Sequence, residues 1–156
     1  MAPWRAWTLV AIQFVLIAAL VVLPRGDLWP LQWPQWVLAG ALLLLGLVLG
    51  AASGRALGRS LTPSPIPLTD GELVTSGVYR FVRHPIYSAL LVLGIGLVVI
   101  GASLWHVATY LLLVMLLAHK ARAEERLLTQ RYEGYATYAG TTGRFVPGIG
   151  RLGPSG

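Results

Sequence analysis

The fold turns on HPIYSALLVLGIGLVVIGASLWHVATYLLLVMLLAHKARAEERLL, His84 to Leu128. Two oily arms flank a break at Ala102 and Ser103, and polar residues gather at the outer end of each arm. So short a break reads as a tight helical hairpin, which makes the two helices antiparallel neighbours. With equal rise on both arms, positions whose numbers sum to about 205 lie at the same depth, so His84 is level with Ala121 and Phe81 with Glu124. Arg80, Arg83 and His84 then face Lys120, Arg122, Glu124 and Glu125 at one end of the hairpin.

Composition names the solvent. Of 156 residues, 56% are hydrophobic and 12% charged, and the mean hydropathy is +0.68. Water-soluble domains carry roughly 25% charged residues, so the deficit points to a bilayer. A net charge of +6 can signal nucleic acid, but here the charges lie between apolar runs rather than on one soluble face, and no nucleic-acid partner is expected. The absence of cysteine excludes disulfides, thiolate metal sites and a cysteine nucleophile. The three histidines are too scattered for a metal site.

The expectation is an all-α integral membrane protein, a single membrane domain over 1–156. Transmembrane helices are placed near 7–23, 36–52, 84–101 and 104–119, each borrowing flanking residues to reach the ~20 needed to cross. The first is read as a retained anchor, since PRGDLWP after Leu23 offers no small-x-small cleavage site. A fifth helix is possible if Leu28–Trp36, with Trp29, Trp33 and Trp36, dips into the interface. Eleven of the twelve basic residues fall in the N-terminus, the loop 53–83 and the tail 120–156, and only Arg25 lies in the first loop. The positive-inside rule therefore puts both termini, that loop and the tail in the cytoplasm. TPSPIP in the loop forbids helix. KARAEERLLTQRY in the tail favours a helical extension beyond the membrane.

The polar end has specific chemistry. Pro85 suits the first position of a helix, whose free N–H groups and dipole favour an anion, with Arg83 and His84 reinforcing it. Arginines at such a helix end also snorkel to headgroups, and either glutamate would serve a plain salt bridge. Adjacent residues on a helix point ~100° apart, so at most one of Glu124 and Glu125 aims squarely into a pocket. Gly94 and Gly96 either allow close helix packing or give a ligand access to the backbone. Tyr132, Tyr135 and Tyr138 form a packing stripe or a lid.

LVTSGVYRFVRHPIYSA, AEERLL, RYEGYATY and RFVP together resemble the membrane methyltransferases that include isoprenylcysteine carboxyl methyltransferase and phospholipid N-methyltransferases. The resemblance covers about Thr62 to Pro147. It implies S-adenosyl-L-methionine as cofactor, bound by His84, Pro85, Tyr87, Gly94, Gly96, Glu124 and Glu125, with Arg83 and Arg144 nearer the methyl acceptor as catalytic residues. Two departures stand out: Val78 occupies a position that is often proline in the family, and the tail tyrosines are spaced YxxYxxY. The acceptor implied is a lipophilic small molecule or a lipidated substrate in contact with membrane lipids, methylated at the cytoplasmic face. The arginine surplus leans toward carboxylate O-methylation over amine N-methylation. The rival readings are an NADPH-dependent reductase similar to sterol reductases, which share an HP-Y block, and a non-catalytic membrane scaffold.

Overall fold

A computed structural model describes residues 3–58, 62 and 73–153 of the chain. Within them the chain is helical, as expected: α1 (Pro3–Val22), α2 (Trp33–Leu57), a 3₁₀ turn (Gly77–Arg80), α3 (Pro85–Gly101), α4 (Leu104–Arg131) and a short α5 (Tyr135–Thr141). Apart from Thr62, TPSPIP lies outside the described residues, as does Arg59. Three helices, α1, α2 and α4, are long and apolar enough to cross a membrane, and α3 is a shorter apolar helix of 17 residues. Their outer faces carry exposed Phe14, Val15, Leu44, Leu47, Leu111 and Met115, the surface a bilayer covers and water would not tolerate. The protein is an all-α integral membrane protein.

Leu28–Trp36 forms no separate helix. Trp33 and Trp36 belong to the first turn of α2, which starts three residues before the apolar run and continues to Leu57. The residues before it cap the hairpin: Gly26 N–H donates to Gly101 O at 2.8 Å and Leu28 N–H to Ala102 O at 2.9 Å. The Trp29 indole donates to Val99 O at 3.0 Å. These donors satisfy carbonyls that the end of α3 leaves without helical partners, which is costly to neglect near lipid. Ala102 takes the left-handed conformation, φ 44°, that reverses the chain. Ser103 then caps α4, its Oγ accepting from His106 N–H at 3.3 Å. His106 is buried, its Nδ1 2.8 Å from Ser103 Oγ.

Small residues set the helix spacing. Gly46 of α2 packs so tightly on α3 that a Cβ there would sit 2.5 Å from Leu93 Cγ and 3.0 Å from Ala89 O. Gly96 of α3 meets Leu43 and Ala39 O of α2, while Gly94 on the other side of α3 meets the Tyr110 ring of α4. With lipid outside as apolar as the interface, such close backbone approach is what drives helices together. α1 closes the bundle against α4, with Leu20 beside Leu113 and Leu117. One end of the bundle thus gathers the start of α1, the end of α2, the start of α3 and the end of α4. At ~42 Å, α4 is longer than the ~30 Å hydrocarbon core, so its last turns stand beyond the lipid.

Gly46→Ala is expected to destabilise by about 1–3 kcal/mol through overpacking, lowering the detergent-solubilised melting midpoint. Gly40→Ala, where a Cβ meets nothing within 4 Å, leaves the midpoint unchanged or slightly raised.

Candidate functional site

The hairpin brings the RHP corner onto the acidic pair, about one turn further along α4 than equal rise suggests. Glu125 receives most of the contacts. Its Oε1 accepts from Arg83 Nη2 at 2.8 Å and Nε at 3.1 Å, and from Arg144 Nε at 3.0 Å, while Arg144 Nη2 donates to Oε2 at 2.7 Å. His84 Nε2 lies 3.2 Å from the same Oε1. Two guanidiniums and an imidazole therefore fill the acceptor sites of one carboxylate.

Arg83 is 4% exposed. Beyond Glu125 it donates to Ala139 O at 2.9 Å, Gly150 O at 2.8 Å and Thr142 O. The backbone repeats this link: Arg83 N–H donates to Gly143 O at 2.8 Å and His84 N–H to Arg144 O at 3.1 Å. Ser88 Oγ donates to Phe145 O at 2.7 Å. Gly143 is needed here, because a Cβ would fall 2.0 Å from Val146 O. The tail thus closes over the start of α3. It also supplies the tyrosines: Tyr135 is buried with its hydroxyl unpartnered, Tyr138 donates to Tyr79 O at 2.5 Å, and Tyr132 is half-buried. Burial pushes the Tyr138 phenol up to about 12, although the nearby Arg83 pulls the other way.

Glu124 behaves differently. Its side chain is 27% exposed against 5% for Glu125. It accepts from Tyr87 OH at 3.2 Å and lies 3.4 Å from His84 Nδ1. The His84 and Tyr87 rings stack with centroids 5.3 Å apart, and Phe145 meets both edge-on. Glu124 borders a cavity of about 370 Å³ whose walls include Tyr79, Arg83, His84, Tyr87 and Lys120. That volume lies within the ~300–1,000 Å³ range of small-molecule sites. Gln13, Phe14 and Ile17 of α1 complete the wall.

Of the expected site residues, the structure unites Arg83, His84, Pro85, Tyr87, Glu124, Glu125 and Arg144. Pro85 occupies the first position of α3 and is buried. Gly94 and Gly96 do not border the cavity and pack against Tyr110 and Leu43 instead. Lys120, placed by the sequence at the polar end of the hairpin, also lines the cavity, as does Gln13, which was not singled out. Gln13 sits within an apolar helix, and its Oε1 accepts from the fully buried Lys120 ammonium at 2.5 Å. A buried polar residue in a membrane-crossing helix is itself a signal of function, and Gln13 carried that signal in the sequence.

No group of three or more His, Cys, Asp or Glu able to hold a metal occurs among the described residues. A buried and a half-buried carboxylate meet the His-Pro start of α3 beside a cavity of small-molecule size, at one end of a lipid-facing bundle. The chain belongs to the phospholipid methyltransferase family, whose model matches residues 34–134, more than half of its length. No curated protein matches it significantly. The family comprises membrane methyltransferases acting on lipid-type substrates.

His84 gives the cluster a pH dependence. Burial opposes charging, but hydrogen bonds to Glu124 and Glu125, and their charges, outweigh it and raise its pKa above the ordinary 6.5. Because the folded value exceeds the unfolded one, the stabilisation is complete below about pH 6.5 and is lost as pH rises through the folded value. The melting midpoint should therefore fall on going from about pH 6 to about pH 9, and His84→Asn should lack that decline. Glu125→Gln leaves the buried Arg83 and the half-buried Arg144 underpaired and should cost about 3–5 kcal/mol. Limited proteolysis would then cut the tail beyond Arg131, which the wild-type protein resists.

Proposed function

We propose that the protein transfers a methyl group from S-adenosyl-L-methionine to a lipid-like acceptor at the cytoplasmic face of the membrane. The observation that carries this reading is the division of the acidic pair: Glu125 is consumed by Arg83 and Arg144, while Glu124 faces the cavity beside Tyr79, His84 and Tyr87. The cofactor combines an ammonium and a sulfonium with a ribose diol and a carboxylate. Glu124 suits the ammonium or the diol, the ring faces of Tyr79 and Tyr87 suit a sulfonium, and the His84–Lys120 side suits the carboxylate.

When bound, the cofactor supplies an electrophilic methyl: the C–S bond breaks as the acceptor's lone pair forms a bond to carbon, and the bonding electrons return to sulfur as a neutral thioether. Such a displacement needs alignment and exclusion of water more than covalent assistance. Phe14, Ile17 and Leu90 exclude water from the membrane side of the cavity. Arg83 and Arg144 hold the tail closed through Glu125.

Arg83 and Arg144, whose charge suggested an anionic acceptor, are both engaged by Glu125, and Arg83 by three tail carbonyls as well, so they no longer favour a carboxylate. Glu124 borders the cavity and is able to take the proton that a protonated amine must release before its nitrogen attacks. We therefore favour N-methylation of an amine-bearing lipid head over carboxylate O-methylation. The same pairing weakens the NADPH reading, in which those arginines would have to bind phosphates. The cytoplasmic assignment rests on charge: Arg5, Arg55, Arg80 and Lys120 lie at the cavity end of the bundle, and Arg25 at the other.

Purified protein should bind S-adenosylhomocysteine and not NADPH in calorimetry; binding of NADPH alone would reverse the reading. Glu124→Gln is expected to weaken S-adenosylhomocysteine at least tenfold, on the order of one charged hydrogen bond, with the melting midpoint retained. With radiolabelled methyl donor and total membrane lipid, the label should enter the lipid fraction and give no volatile methanol in mild base. A label released as volatile methanol would instead mark a methyl ester and restore the carboxylate acceptor.

A further inference from the structure

A second cavity lies on a different face of α4, outside the site described above. It is a groove of about 580 Å³ between the start of α1 and the end of α4, and it shares no lining residue with the 370 Å³ cavity. Its rim carries Arg5, His119 and Arg126, and its floor is Leu9 and Leu127. Trp4 stands at the edge, its ring 5.1 Å from the Arg5 guanidinium carbon. No aspartate or glutamate lines the groove. Neither Arg5 nor Arg126 has a carboxylate partner among the described residues.

The height of these cations follows from the Gln13–Lys120 hydrogen bond, which fixes the register of antiparallel α1 and α4. Arg5 lies eight residues and Arg126 six residues beyond that contact, about 12 Å and 9 Å toward the water. Both guanidiniums therefore stand at one level, near the end of the lipid. One helical repeat below Thr8 and His119 on the same faces come Ile12 and Met115, 42% and 59% exposed. The seam runs from paired cations, past amphipathic Trp4, to an apolar surface. That sequence of chemistries matches a phosphate headgroup with acyl chains descending beside it, whereas a free phosphate would have no use for the lower half.

We propose that this groove binds the headgroup of an anionic glycerophospholipid from the surrounding leaflet, at a site separate from the methyl-transfer cavity. Arg5 and Arg126 both bind the phosphate of the head, and the chains lie along Ile12 and Met115. This goes beyond the proposed reaction and does not depend on it.

Trp4 provides the readout. Reconstituted protein is titrated with dibrominated phosphatidylglycerol or dibrominated phosphatidylcholine in an otherwise unbrominated bilayer. Fluorescence lost in wild type but not in Trp4→Phe reports the groove. Half-quenching should need on the order of tenfold less phosphatidylglycerol than phosphatidylcholine, the effect of two arginines near a charged surface. The Arg5→Gln/Arg126→Gln variant should quench equally with both lipids while still binding S-adenosylhomocysteine. Equal quenching in wild type would reduce the groove to ordinary lipid contact and overturn the proposal, as would a preference that survives in the double variant. If that variant does not fold, wild type alone decides: the preference must shrink as salt rises, and a salt-insensitive preference overturns the proposal.

Discussion

One carboxylate holds this end of the molecule together. Glu125 is the common acceptor for Arg83 at the start of α3, Arg144 in the tail and His84 at the helix cap. It joins segments 19 to 42 residues apart in sequence. Removing charges from water is expensive, and burying the Arg83 guanidinium is tolerable only where a carboxylate and several carbonyls meet it. Ala139 O, Thr142 O and Gly150 O fill that second requirement for Arg83. The tail is therefore not an appendage. Its carbonyls are the partners without which the buried Arg83 would be unaffordable, and its own position is fixed by the arginine it solvates.

This coupling explains why two adjacent glutamates have separate tasks. With α4 fixed by Glu125, the ~100° offset between neighbours turns Glu124 onto the cavity face, where Tyr87 OH and His84 meet it. His84 touches both carboxylates, one with each ring nitrogen. It transmits the state of the clasp to the cavity wall, because an imidazolium satisfies both carboxylates and a neutral ring donates to only one. Both arginines of the clasp are held by Glu125, so a ligand cation in the cavity would meet Glu124 without facing an unpaired arginine.

Much of this was legible in the sequence. The hairpin followed from the two-residue break at Ala102 and Ser103, and the meeting of RHP with the acidic pair followed from the hairpin. The 100° offset already implied that one glutamate would turn away from the pocket. Which one was not legible, because it depends on the tail residues that engage Arg83 and Arg144, and three-residue spacing of tyrosines does not reveal where the tail lands. The Gly94 and Gly96 ambiguity was inherent, since a small residue serves helix packing and ligand access equally until the opposing side chain, here Tyr110 or Leu43, is known. Helix ends were legible only approximately: α2 runs past its apolar stretch to Leu57 because Ser53, Arg55 and Ala56 still form good helix once lipid no longer selects for oil.

The cavity and its clasp draw on segments both inside and outside the family match. The family match spans residues 34–134, which includes the RHP corner, Lys120 and both glutamates. α1 lies before it, and α5 and the rest of the tail after it. Yet α1 gives the cavity Gln13, Phe14 and Ile17, and the tail gives Arg144 to the clasp and Phe145 to the His84–Tyr87 stack. Gln13 is the informative member, because a carboxamide in an apolar helix stays costly until it finds a partner, and it finds Lys120. That pairing ties α1 to the wall beside Glu124, so the chemistry-bearing segment is completed by an anchor helix and a tail lying outside the family match, and the shape offered to an acceptor depends on both.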